Sequence, residues 1–66
     1  MYTINRSKLE AITAIIKNTA DPTVTEETIE EHITADWHEG DEHQAWIDSA
    51  SVEEIADWVA VTAYPI

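Results

Sequence analysis

Residues 24–33, VTEETIEEHI, carry most of the signals that predict the fold. Thr25 is a favourable N-cap, because its hydroxyl can accept a hydrogen bond from an amide of the first helical turn. The two glutamates after it suit the positive end of the helix dipole. Val24 and Ile29 have the spacing of a hydrophobic staple, in which one residue before the cap packs on one in the second turn. The stretch therefore predicts the start of an amphipathic helix.

The apolar stripe of this helix continues at four-residue intervals from Ile29 through Ile33 to Trp37. Gly40 then predicts the end of the segment, because glycine readily adopts the left-handed conformation of a helix C-cap.

The segment that precedes this stretch in the chain also has a helical pattern. Ser7 and Glu10 have the spacing of a capping box. They predict a helix over about residues 8–19, which stops before Asp21 because Pro22 disfavours helical geometry in its predecessor.

Two shorter helices are predicted after Gly40. Asp41 can cap a helix that runs to about Asp48, and Ser51 starts another capping box whose helix frays near Thr62. The expected fold is all-α, a bundle of three to four short helices in a single domain over residues 1–66. Its expected core consists of residues at helical spacing: Leu9, Ile12, Ile16, Ile29, Ile33, Ile55 and Val59.

The amino-acid composition excludes several classes of function. The 66 residues include no cysteine, so disulfides and thiolate chemistry are excluded. No apolar run approaches the roughly 20 residues that a transmembrane helix needs, and the first residues lack the apolar region of a secretory signal. We therefore expect a cytoplasmic protein.

The charge is strongly acidic and unevenly distributed. Fourteen acidic residues against three basic ones give a net charge of −11, and the three bases, Arg6, Lys8 and Lys17, all lie near the start. Nucleic acid and anionic membranes would repel such a chain. A basic protein would be attracted to it, so the expected partner is a basic nucleic-acid-binding protein or complex.

The acids of the second helix form two rows, Glu26 with Glu30 and Glu27 with Glu31. Residues four apart on a helix lie about 6 Å from each other. That distance is of the same order as the spacing of charges along a nucleic-acid strand, one per about 3.4 Å of rise. The outward carboxylates, with one tryptophan that could stack on an arginine, give the expected partner-binding residues: Glu27, Glu30, Glu31, Asp36, Glu39, Glu53, Glu54, Asp57 and Trp58.

The sequence supports catalysis and metal binding less than it supports binding of a protein partner. His32, His38 and His43 lie among carboxylates, but their spacing matches no standard zinc pattern. There is no nucleophile elbow and no glycine-rich phosphate loop. We expect no enzyme activity, no cofactor and no metal.

The short length, the single domain and the acidic surface resemble the small anti-defence proteins of bacteriophages, especially anti-CRISPR proteins that act as DNA mimics. The resemblance implies a non-enzymatic inhibitor that blocks the basic nucleic-acid groove of a host defence complex, with a type I complex as the expected target. Two alternatives remain open. One is a small acidic adaptor or antitoxin that neutralises a basic protein, and the other is a halophile domain whose acidity serves only solvation.

Overall fold

A computed structural model describes residues 2–35 and 42–64. Four helices lie in these ranges: α1 (Arg6–Thr19), α2 (Glu26–Thr34), α3 (Glu42–Ser49) and α4 (Val52–Ala63). The two described ranges contain no strand. The predicted all-α bundle is therefore confirmed.

A single cluster of apolar side chains forms the core. Helices α1, α2 and α4 pack on one another, and α3 contributes Ile47. All seven predicted core residues are buried. The structure adds four residues to them: Val24, Ile47, Ala50 and Ala56. Val24 and Ile29 are both buried, at the two positions of the predicted staple.

Helix α1 begins two residues earlier than predicted. Its N-cap is Asn5, whose Oδ1 accepts hydrogen bonds from the amides of Ser7 at 2.9 Å and Lys8 at 3.3 Å. The prediction of Ser7 as the cap was wrong, because asparagine caps as well as serine and here satisfies two amides at once. The end at Thr19, before Asp21, is as predicted.

Helix α2 ends earlier than predicted. Thr25 caps its start, accepting a hydrogen bond from the amide of Thr28 at 3.3 Å, as expected. The last helical residue is Thr34, and Ala35 is already extended, so the predicted continuation to Gly40 was wrong. The reason is a tertiary contact: the His43 ring on α3 bonds the Ile33 carbonyl at 2.8 Å and satisfies one of the groups that a helix end leaves free. Trp37 and the Gly40 cap lie outside the described residues.

Helix α3 is tied to the N-terminal segment and to α1 by side chains. Gln44 pairs with the backbone of Thr3 in both directions, accepting from its amide and donating to its carbonyl, each at 2.9 Å. The Lys8 ammonium donates to the carbonyls of Ile47 at 2.7 Å and Asp48 at 3.4 Å. A cation thus lies at the negative end of the α3 dipole. The predicted cap at Asp41 lies outside the described residues.

Helix α4 starts where it was predicted, with Ser51 accepting a hydrogen bond from the amide of Glu54 at 3.1 Å. At its other end the Tyr64 hydroxyl donates to Asp21 at 3.3 Å, and so fastens α4 to the turn between α1 and α2. Hydrogen bonds from Thr23 hold the pKa of the Asp21 carboxyl below its usual value. Burial, together with the Asp21 charge, raises the pKa of the Tyr64 phenol.

Candidate acidic interface

The acidic residues of α2 divide into an outward pair and an inner pair. Glu27 and Glu31 are exposed, as expected of outward carboxylates, whereas Glu30 is half-buried. Glu26, also half-buried, forms an ion pair with Arg6 at 3.1 Å. Within residues 2–35 and 42–64, no basic side chain forms an ion pair with Glu27 or Glu31.

The acidic residues of α4 are all exposed. Glu53 and Asp57 point to solvent, as predicted. Glu54 is exposed too, but its Oε2 accepts a hydrogen bond from the Trp46 indole at 3.1 Å. This carboxylate therefore also holds α3 against α4. Asp36 and Glu39, the remaining predicted acids, lie outside the described residues.

Two of the three basic side chains are used within the fold. Arg6 offsets Glu26, and Lys8 caps the end of α3. Lys17 is exposed in the last turn of α1. The charge presented by the outer faces of α2 and α4 is therefore almost entirely negative.

Trp58 differs from the predicted acidic residues within the described ranges because it packs against the core. Its ring lies 5.2 Å from that of Trp46, 5.1 Å from His32 and 5.8 Å from His43, between centroids. Trp58 joins α2, α3 and α4, and the expected contact of its indole with a partner's arginine stays a prediction.

The aromatic cluster was missed by the sequence reasoning. His43 lies at its centre, with the Tyr2 ring at 4.8 Å and the Trp46 ring at 5.6 Å. The only sequence signal is the spacing of three between His43 and Trp46, which puts both rings on one side of α3. The contacts with Tyr2 and His32 bridge distant parts of the chain and have no local pattern.

Both described histidines have structural hydrogen bonds. Thr62 donates its hydroxyl proton to the Trp58 carbonyl at 2.8 Å, so Nε2 of His32 is the donor in its 2.7 Å contact with the Thr62 oxygen. His43 likewise donates to a carbonyl. Over residues 2–35 and 42–64, no three metal-binding side chains converge. His38 lies outside those ranges.

The contact of His32 with α4 places α2 and α4 side by side, so the acidic residues of the two helices belong to neighbouring elements. No described helix is both long and apolar enough to cross a membrane. The chain matches no protein family model, and no curated protein or solved structure is significantly similar to it. The structure defines a small, strongly acidic all-α protein with four helices in residues 2–35 and 42–64.

Proposed function

We propose that the protein is a non-enzymatic inhibitor that imitates nucleic acid. Its acidic surface, made of Glu27, Glu31, Glu53 and Asp57 with their acidic neighbours, binds the basic nucleic-acid groove of a host defence complex in the cytoplasm. Within that class we propose an anti-CRISPR protein directed at a type I effector complex.

The observation that supports this proposal is the disposition of charge. The outward carboxylates lie on helices, while Arg6 is paired with Glu26 at the surface and Lys8 bonds to carbonyls at the end of α3. A surface of this kind repels nucleic acid and attracts the lysines and arginines of its binding proteins, with release of their counterions. In the part of the chain that the structure describes, no hydrogen bond ties these four carboxylates to the fold, so their charge is available to a partner.

Charge reversal tests the proposal. The variants Glu27→Lys/Glu31→Lys and Glu53→Lys/Asp57→Lys each bring the net charge from −11 to −7, since each substitution adds two charges. We expect both variants to fold, because all four side chains are exposed. Each should lose the ability to prevent a purified type I effector complex from binding fluorescent target DNA, because attractive contacts become like-charge clashes.

The matched control places the same charge elsewhere. Glu10→Lys, Ala14→Lys and Asn18→Lys together also give −7, on an exposed row of α1. This variant should still inhibit. If wild type leaves DNA binding unchanged, the type I assignment is wrong. If a partner captured from the host is not displaced by DNA, the proposal of mimicry is wrong.

A further inference from the structure

A groove runs between the N-terminal segment and α2. It is lined by Tyr2, Thr3, Ile4, Glu30, Glu31 and Thr34, and its volume is about 410 Å³. One wall is aromatic and aliphatic, and the other carries two carboxylates. We infer that this groove binds an arginine side chain of the basic protein partner. The inference deepens the proposed function and rests on it for the origin of that side chain.

The N-terminal wall is held in place before any ligand binds. Both backbone polar groups of Thr3 are paired with Gln44, and the Tyr2 ring meets the His43 ring edge-on at 4.8 Å. A wall fixed in this way loses little conformational freedom on binding. Because the Thr3 amide is already paired, the wall does not offer this donor to an anion.

The α2 wall offers acceptors. Thr34 donates its hydroxyl proton to the Glu30 carbonyl at 2.7 Å, so its oxygen has only lone pairs left to present. Ionised Glu30 and Glu31 are acceptors as well. Three acceptor side chains in one groove fit a ligand that has several donors and a positive charge.

Arginine fits these walls better than lysine. Its guanidinium has five N–H donors in a plane, is weakly hydrated and stacks on aromatic rings, whereas lysine is a compact and strongly hydrated charge. The methylene stem of arginine can lie along Ile4, with its charged end at the carboxylates. The net charge of −11 supplies the long-range attraction.

Two peptides of equal charge test the inference, nona-arginine and nona-lysine, titrated into the ¹⁵N-labelled protein at low ionic strength. We expect arginine to bind more tightly, with the largest amide shifts in residues 2–4 and 30–34. Glu31→Gln and Glu53→Gln each remove one exposed negative charge, but only Glu31 lines the groove. Glu31→Gln should weaken arginine binding about fivefold more than Glu53→Gln, because glutamine keeps a hydrogen-bond acceptor and loses only the charge, a difference of about 1 kcal/mol.

If both variants lose the same binding affinity and the protein does not prefer the arginine peptide, the proposal of an arginine site in the groove is wrong. The remaining attraction would then be diffuse, which is compatible with mimicry. Absence of binding by both peptides would also overturn the arginine site. The two proposals can also fail separately. If the peptides show selection of arginine by the groove but DNA does not displace the captured partner, the arginine site is supported and the proposal of mimicry is wrong.

Discussion

Asn5 is the residue that sets the start of α1, through its two hydrogen bonds to first-turn amides. Asn5→Ala should lower the free energy of unfolding by about 1 kcal/mol, the usual cost of losing an N-cap. Ser7→Ala should change it by less than about 0.5 kcal/mol, as is normal for an exposed site. Urea denaturation followed by tryptophan fluorescence measures both. The opposite ranking would restore Ser7 as the cap.

Asp21 and Tyr64 link two chain segments through one hydrogen bond that depends on pH. Folding lowers the pKa of Asp21, so its contribution to stability is present above the usual value of 3.8 and is lost as pH falls through the lower, folded value. Folding raises the pKa of Tyr64, so its contribution is present below the usual 10.0 and is lost as pH rises through the higher, folded value.

Denaturation of two variants across the pH range separates these contributions. The stability difference between wild type and Asp21→Asn should shrink in acid, and the difference between wild type and Tyr64→Phe should shrink in alkali. A Tyr64 difference that stays constant in alkali would mean that Tyr64 is not buried against Asp21 in solution. A constant Asp21 difference would mean that the hydrogen bonds from Thr23, the main cause of its lowered pKa, are not formed.

At the scale of elements, α3 is the least integrated helix. Ile47 is its one buried residue, and Lys8 supplies the cation at its end. Lys8→Met should destabilise the protein by about 0.5–1 kcal/mol, the range for a cation near a helix C-terminus. It should also speed hydrogen exchange in α3 more than in α1 or α4. Lys17→Met is the comparison, since it removes the same charge from the last turn of α1 and should speed hydrogen exchange there rather than in α3. Equal exchange rates of α3 in the two variants would show that only net charge matters.

The helix ends show which features could be predicted from local sequence signals. Thr25 and Ser51 were predicted as caps because a cap and its amide partner lie within three residues. The end of α2 could not be predicted, because the Ile33 carbonyl is satisfied by His43, ten residues away on another helix. The contacts of Trp58 with His32 and Trp46 could not be predicted either, because these rings come from α2 and α3 and have no local pattern with α4.

At the scale of the whole molecule, the acidic charge acts against its own stability. Glu27 and Glu31 are like charges one turn apart, and such pairs cost a few tenths of a kcal/mol each. Raising salt from about 0.01 to 0.1 M shortens the screening length from about 30 to 10 Å and should stabilise wild type by on the order of 1 kcal/mol. Glu27→Lys/Glu31→Lys should show a smaller gain. The same salt response in both proteins would mean that the repulsion is not the cause.

The pair formed by Trp46 and Trp58 has an optical consequence. Their rings lie 5.2 Å apart and are steeply inclined, at 68°. Two strong electronic transitions at such separation and angle couple through space and split into bands of opposite circular dichroism. The splitting is superimposed on the helical spectrum and disappears when either indole is replaced by phenylalanine. We therefore expect the spectrum of this protein to contain a direct signal of α3 docking on α4, independent of helix content.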